Sequence, residues 1–543
     1  MCGFFLAIND TTLDIKKITE SFKHRGPDST GFFTGKGIQC GFNRLMIVDN
    51  DPQSDQPMLD SSGRYLLVFN GQIYNYKDLK KNLEKTYPLS WSTQSDTEVL
   101  LHGLIHEGIS FIKQLDGIFA FAFIDLESLD VILARDMFGV KPLYFYTIDQ
   151  SIYISSELKP VYLATGNKID FSNMSQFLTY GFVDKGNTLL SNINILEANC
   201  IMLLNPEKKP QTFNIHHFIY DVYDTIELNH IQETLYKTID TQKPSISYGI
   251  LFSGGLDSTL LLKQCVHDPH FSAAYSVEVN HPDMSEKYWQ EYAVNVLKIE
   301  KKYQRIDLTK EHFTVENMDH IAKRMDCPLF HPNFIGSFLL TQLANKNNLK
   351  VLLSGEGADE LFMGYKWFFS QQPVSDFLEY IPLQHIQKIL GVEAETISIQ
   401  DETPLLEIFQ KKYLQRWLLR QDVTGMANSI ETRVPFLGLS LAQLMNKLSY
   451  AFKKGQNQSK WIIKKFLSDT FPHLFLERKK IGFDFPLNEW IGIEHIDYLK
   501  QKSHLIDSAM LDFILKKEKK LYLKKRLIFS LVAFCLWQDN LAK

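Results

Sequence analysis

The sequence predicts an α+β domain followed by an α/β domain with a parallel sheet and a largely helical end. Three observations predict it. Short strand-like runs crowd the first part of the chain, strands and helices alternate in the middle, and helical patterning dominates beyond about residue 400. At 543 residues the chain exceeds what one core organises, so more than one domain is expected.

The terminus reads MCGF, with a Cys directly behind the initiator Met. Removal of Met1 would leave a thiol and a free α-amine on Cys2, a nucleophile that carries its own base. RYLLVFNG, GIFAFAFIDL, DVILARD, PLYFY and SIYISS follow. Each is bounded by Gly, Asp or Asn turn signals and reads as a strand. CIMLLNPEKKPQTF adds one more strand and then a polar Lys-Lys-Pro segment, which places a domain boundary near 205–215. Beyond it, YGILFSGGLDSTLLLKQCV reads strand, glycine-rich turn, helix. FSAAYSVEV and LKVLLSGEGADELF are further strands, each leading into a loop, and their alternation with helices implies a parallel sheet. LIFSLVAFCLW (527–537) is the longest apolar run; it is too short to span a bilayer and is expected as a buried helix. KKEKKLYLKKR (516–526) is expected as a solvated helix face.

Composition narrows the function. A net charge of −5 supplies no field for nucleic acid. The six cysteines, Cys2, Cys40, Cys200, Cys265, Cys327 and Cys535, form no CxxC pair, so neither a zinc site nor a disulfide framework is suggested. The N-terminus lacks a basic segment followed by a long apolar run, so no signal peptide is read. A cytoplasmic enzyme without nucleic-acid or membrane partners is expected.

Two loops carry the nucleotide chemistry. SGGLDS (253–258) follows an apolar strand and opens a helix. Gly254 and Gly255 let the backbone approach an anion, the helix N-terminus adds N–H donors, and Ser253 and Ser258 add hydroxyls. A Walker A sequence is absent. SGEGADE (354–360) repeats the strand–loop geometry with Glu356, Asp359 and Glu360 around the turn. Acids facing phosphates require a cation between them, so magnesium-bound ATP is inferred; a plain acidic helix start accounts for at least one of the three. Lys460 and Lys464 lie one helical turn apart in SKWIIKKFL and offer positive charge to pyrophosphate, although lysines on a helix are usually just solvated.

Together SGGLDS, LSGEGADELF, SIETRVPFL and RKKIGFDFP resemble the synthetase domain of the glutamine-dependent asparagine synthetases. The resemblance implies a pyrophosphate-loop fold that adenylates a carboxylate with ATP and lets ammonia displace AMP. It places Phe252, Ser253, Gly254, Gly255, Asp257, Ser258, Val277, Ser354, Gly355 and Lys460 at ATP. It also implies that Asp257 and Asp359 hold Mg2+ and that Glu356 supports the acyl-adenylate step.

The first part resembles the glutaminase domain of the same family, through HRGPDSTG (24–31), RLMIVD (44–49), NGQIYN (70–75), SDTEVL (95–100), DGIFAFAFID (116–125) and RDMFGVKPLYF (135–145). This implies a four-layer αββα N-terminal-nucleophile hydrolase in which Cys2 attacks the glutamine amide. Its α-amine, with an ordinary pKa of about 8, moves the proton. Arg44 would pair with the α-carboxylate, Asp96 would hold the α-ammonium, Asn70 and Gly71 would form the oxyanion hole, and Ile47, Val48 and Gln72 would complete the glutamine site. The expected division is 2–208 for the glutaminase and 209–543 for the synthetase. The expected substrates are glutamine, ATP and aspartate, with a homodimer as the family expectation.

Three positions depart from the family pattern. Gln72 stands where Glu is common, Met363 where Gly is usual, and Gly438 where Asp is usual. The last two lie in the synthetase half, so they bear on which carboxylate is amidated; a uronic-acid sugar or a peptide carboxylate is the alternative to aspartate. His331, in DCPLFHPN, lies where an acceptor is expected but reads better as a structural histidine. A glutaminase without an ATP step is disfavoured by the paired loops, and an inactive scaffold by the intact Cys2, Arg44, Asn70, Asp96 and Asp257.

Overall fold

The computed structural model describes residues 2–370, 405–455, 457–478, 485–502 and 521–542, together with 379, 381–383, 386 and 396; side chains of 521–523 are not described. Met1, most of RKKIGFDFP and residues 516–520 of KKEKKLYLKKR lie outside the described residues; in the remainder of that run Lys524 is buried, not on the solvated face expected of it.

Two antiparallel sheets form the N-terminal part. The first contains β1 (Cys2–Ile8), β2 (Ser29–Gly35), β3 (Ile38–Arg44), β8 (Tyr144–Ile148), β9 (Ser151–Ser155) and β10 (Asn194–Ile195), in the order β10-β8-β9-β1-β3-β2. The second contains β4 (Met58–Leu59), β5 (Tyr65–Ile73), β6 (Gly117–Asp125), β7 (Val131–Arg135), β11 (Cys200–Asn205) and β12 (Lys208–Asn214), in the order β12-β11-β7-β6-β5-β4. Alternation of side chains along each strand explains the layering. Phe4, Leu6 and Ile8 meet Leu66, Val68 and Ala122 between the sheets. Their neighbours Phe5 and Ala7 face outward onto Val161, Met174 and Phe177, while Phe69, Phe121 and Phe123 face Leu83, Val99 and Leu104. Helices Leu158–Thr165 and Phe171–Tyr180 thus cover one side, and Tyr76–Thr86 and Asp96–Glu107 the other. The result is an αββα sandwich.

The polar Lys-Lys-Pro segment, expected to mark the domain boundary, is itself a strand. As β12 it pairs antiparallel with β11, so the sheet runs past the expected division at 208/209. All seven of its residues are exposed, which is why no hydrophobic alternation marked it. It is an edge strand whose lysines discourage further pairing.

The third sheet is wholly parallel: β13 (Tyr248–Leu251), β14 (Phe271–Val279), β15 (Tyr303–Leu308), β16 (Val351–Leu353) and β17 (Glu431–Arg433), ordered β15-β14-β13-β16-β17. Strand order reverses at β13, so the loops leaving β13 and β16 stand side by side at the carboxyl edge, where such sheets bind ligands. A Cβ built on Gly355 would lie 3.2 Å from the Asp257 Cβ, so the two loops are in contact. The C-terminal helix Leu521–Leu541 buries Ile528, Phe529, Val532, Phe534 and Trp537. Among the described residues no helix is long and apolar enough to cross a membrane.

The halves share a buried interface. Leu45, Ile47, Phe138 and Val140 pack in one cluster with Ile250, Phe252, Leu414 and Phe436. Beside it, fully buried Arg25 and Lys141 both bind Asp422, at 3.0 Å each, and Arg25 also reaches Glu157 at 3.2 Å. The two cations hold the Asp422 carboxyl below the usual range despite burial.

Candidate active sites

Cys2 opens β1 opposite Arg44 at the end of β3. Its backbone N–H donates to Asn70 Oδ1 at 3.2 Å, and its carbonyl accepts from Arg25 Nε at 3.1 Å. Asn70, on β5, is fully buried, and its Nδ2 has no hydrogen-bond partner. A buried amide N–H without an acceptor is uncommon, and beside a thiol it is a donor suited to a developing oxyanion. Gly71 has φ +154°, and a Cβ there would fall 2.1 Å from the Ile118 carbonyl oxygen, so only glycine lets β5 lie this close to β6. Burial pushes the Cys2 thiol up; the Leu45 backbone and Arg44 oppose this, and Glu431, from the other half, adds to it. A thiol held neutral needs a base to become a nucleophile.

Asp96 begins the helix Asp96–Glu107, behind the Ser95 cap. Its Oδ2 accepts from the Ile73 N–H and from Gln72 Nε2, both at 2.9 Å. Burial pushes its carboxyl up to about 6, against the Ile73 hydrogen bond. Arg44 is turned into the 49–55 loop: Nη1 binds Asp55 at 2.7 Å and the Asp51 carbonyl at 3.0 Å, and Nη2 the Asp49 carbonyl at 2.5 Å. A substrate carboxylate there would compete with Asp55. Ile47 lies in the shared apolar cluster with Val48 packed against it, so their side chains face the interface.

In the second site Gly254 has φ +83°, and a Cβ would fall 2.9 Å from Gln290 Cγ. Gly255 caps the helix Leu256–Cys265. Ser253 and Ser258 face each other, Oγ to Oγ, at 3.2 Å. Gln290 braces the loop by donating to the carbonyls of Ser253 (3.4 Å) and Val277 (3.0 Å), and Arg478 donates to the Gly254 carbonyl. The Phe252 side chain is buried against Tyr303, its N–H donates to Tyr275 and its carbonyl accepts from Ser276. It therefore shapes the strand end from within the core.

Lys460 stands between Asp257 and Asp359, with Nζ against both carboxylates. Gly364 makes room for this: a Cβ there would fall 1.7 Å from Asp359 Oδ1 and 2.2 Å from Lys460 Cε. Lys464, one turn on, instead pairs with Glu477 at 2.6 Å, away from the acids. Of the three acids, Glu360 is buried, pushed up to about 8 by burial and Asp359, and bonded to Tyr365.

Glu356 has partners that no local motif announced. Arg420 binds its carboxylate, and Gln421 Nε2 lies 3.3 Å from it and 3.2 Å from Ser354 Oγ. Arg420, Gln421 and Asp422 are consecutive on the helix Leu414–Met426, so neighbouring residues touch the nucleotide loop and the Arg25–Lys141 cluster beside Cys2. His331 is buried, accepts from the Asn333 N–H and packs edge-on to Trp417 at 5.4 Å; burial and nearby Arg526, Arg420 and Arg416 keep it neutral. Met363 adopts φ +54°, which explains why glycine suits the position, and its side chain joins Tyr180, Phe182 and Phe368. A Cβ on Gly438 would meet Thr238 Cγ2 at 2.1 Å, so close packing on the helix Leu228–Gln242 favours glycine there.

An αββα sandwich whose first strand starts with a cysteine, joined to a parallel sheet with two glycine-rich loops at its switch point, defines an enzyme of the glutamine amidotransferase class. The chain belongs to the asparagine synthase family, a ligase family that uses ATP: residues 230–539 match asparagine synthase and residues 1–214 match the glutamine amidotransferase domain. It is 27% identical to "Asparagine synthetase [glutamine-hydrolyzing] 1" of Bacillus subtilis (strain 168), over 99% of this chain and 96% of that one. It is 25% identical to a "Putative asparagine synthetase [glutamine-hydrolyzing]" of Mycobacterium tuberculosis (strain ATCC 25618 / H37Rv), over 97% and 94%. It is 26% identical to "Asparagine synthetase [glutamine-hydrolyzing] 2" of Oryza sativa subsp. japonica, over 94% and 81%.

Proposed function

We propose that the protein is a glutamine-hydrolysing asparagine synthetase, with the glutaminase in 2–208 extended by β12 and the synthetase in the remainder. The observation that carries this reading is the unpartnered Asn70 Nδ2 beside Cys2. In the processed chain the α-amine takes the Cys2 thiol proton as sulfur attacks the glutamine amide carbon. Asn70 Nδ2 and Gly71 stabilise the oxyanion. The tetrahedral adduct expels ammonia with the proton returned by the amine, and water hydrolyses the thioester to glutamate. Asp96 holds the glutamine ammonium, and Arg44 offers its guanidinium to the carboxylate.

In the second site the acceptor carboxylate attacks the α-phosphorus of ATP and pyrophosphate leaves. Ammonia then attacks the acyl-adenylate, Glu356 takes its proton, and AMP leaves. The Ser253–Ser258 loop cradles phosphates and Lys460 meets the leaving pyrophosphate. Asp257 and Asp359, drawn onto one ammonium, are hard oxygen donors that fit Mg2+, which when bound would neutralise phosphate charge. The Leu414–Met426 helix, touching both sites, supports an internal route for ammonia, which water would protonate.

Aspartate is the proposed acceptor. A uronic-acid sugar is the second reading, since adenylation and amidation act on the carboxylate and not on the rest of the acceptor. The test is a panel of carboxylates with ATP and glutamine, followed by AMP, glutamate and amide products. Asparagine formation is expected; amidation of a uronic acid in its place would transfer the reading to the sugar. Cys2→Ala should lose glutamine use and keep amidation with added ammonium, and loss of both would defeat the division of labour.

A further inference from the structure

One residue joins the two sites. Arg433, buried at the end of β17, donates from Nε to Glu431 (2.5 Å), from Nη1 to the Gln242 carbonyl (2.8 Å) and from Nη2 to Gln72 Oε1 (3.4 Å). Its own carbonyl accepts the N–H of Ser354, the first residue of the SGEG loop, at 2.9 Å. Gln72 donates in turn to Asp96 at 2.9 Å. Asp96, Gln72, Arg433 and Ser354 are all buried, so three hydrogen bonds connect them away from solvent.

The amide at position 72 suits this placement. It has one donor end and one acceptor end, so it can stand between a carboxylate and a guanidinium and satisfy both. A carboxylate there would confront Asp96, and an apolar side chain would serve neither neighbour. Leu353 lies opposite Arg433 in the β16–β17 ladder, so a displacement of Arg433 is carried directly to the start of the nucleotide loop.

We infer that Arg433 is a positioning residue that couples the two sites, sensing through Gln72 whether glutamine engages Asp96 and setting, through its carbonyl, the Ser354 end of the nucleotide loop. This rests on the reading of Asp96 as the seat of the glutamine ammonium. That ammonium competes with Gln72 Nε2 for one carboxylate, so its arrival alters the Gln72–Arg433 bond. Coupling of this kind is reciprocal: ATP must affect glutamine as glutamine affects ATP.

The test uses the full chain, with glutamate release measured against glutamine in the presence and absence of magnesium and ATP. ATP should lower the glutamine KM by about fivefold or more, the lower end of ordinary coupling between sites. In Gln72→Leu and in Arg433→Met the factor should fall to about one, and the double variant should be no worse than the more affected single, as one shared path requires. In Cys2→Ala, where both ligands bind without turnover, ATP should tighten glutamine binding and glutamine should tighten ATP binding by one and the same factor. If Arg433→Met does not fold, Gln72→Leu decides, because it leaves the β16–β17 ladder intact. Persistence of the ATP effect in Gln72→Leu, additive losses in the double variant, or a glutamine KM indifferent to ATP in the unaltered chain overturns the inference. Absence of any glutamate release defeats the glutaminase reading instead, and the ATP titration then decides the coupling alone.

Discussion

Replacing Asp96 with Asn should weaken glutamine use and, at neutral pH, stabilise the fold. Burial lifts the Asp96 carboxyl from 3.8 to about 6. That rise corresponds to about 3 kcal/mol against the ionised form. A carboxyl that binds its proton more tightly folded than unfolded favours the native state in acid, and this contribution is lost as pH rises from 3.8 through about 6. At pH 7.5 the native state therefore carries the whole penalty of about 3 kcal/mol, and at pH 5 about 1.6 kcal/mol. Asn has no charge to desolvate and keeps one acceptor for the Ile73 N–H. It gives up the bond from Gln72, worth about 1 kcal/mol. The variant should thus be about 2 kcal/mol more stable at pH 7.5 and about 0.6 kcal/mol more stable at pH 5. Thermal unfolding at the two pH values reads the difference, and glutamate release reads the function. The glutamine KM should rise about tenfold or more with loss of a charged partner. In the unaltered chain glutamine use should fall about tenfold per pH unit below 6. An Asn variant no more stable at pH 7.5, or one whose advantage grows toward acid, refutes the burial penalty. An unchanged KM refutes the ammonium site.

Three further outcomes are expected. Asn70→Ala should cut glutamate release about a hundredfold or more, as loss of an oxyanion donor does, while AMP formation with added ammonium continues; near-normal release would remove Asn70 from the mechanism. Gly364→Ala should abolish AMP formation and spare glutamate release, because its methyl would displace Asp359 and Lys460; retained AMP formation would show that the pair is not needed. Asp422→Ala should destabilise the chain by about 3–5 kcal/mol in thermal unfolding, because Arg25 and Lys141 lose their shared anion, and a small change would mean that water replaces it.

Much of this was legible locally. Apolar runs ending in SGGLDS and SGEG gave β13 and β16, and short runs bounded by Gly, Asp or Asn turn signals gave β5, β6, β7 and β9. The three-residue β17 was not legible, because ETR has no apolar alternation and is a strand only through its pairing with β16. β12 was hidden for the opposite reason: every residue is exposed. Individual residues divided along the same line. Lys460 and Lys464 look alike in sequence, and only tertiary packing directs one to Asp257 and the other to Glu477. Arg420, Gln421, Arg433 and Gln290 were missed because their partners are distant in the chain and no spacing rule links them. Phe252 and Ile47 sit at the predicted loops, but their side chains are drawn into the apolar cluster between the halves.

The buried interface also sets how the chain can be recombined. Arg25 and Lys141 with Asp422, and Gln72 with Arg433, pair buried residues from opposite halves. A chimera that joins this sandwich to a relative's synthetase at the 215–227 connection would import foreign partners for all of these at once. The exchangeable module is therefore the sandwich together with the Leu414–Met426 helix and β17, two segments far along the chain. A graft designed from the linear order of domains would cut through it.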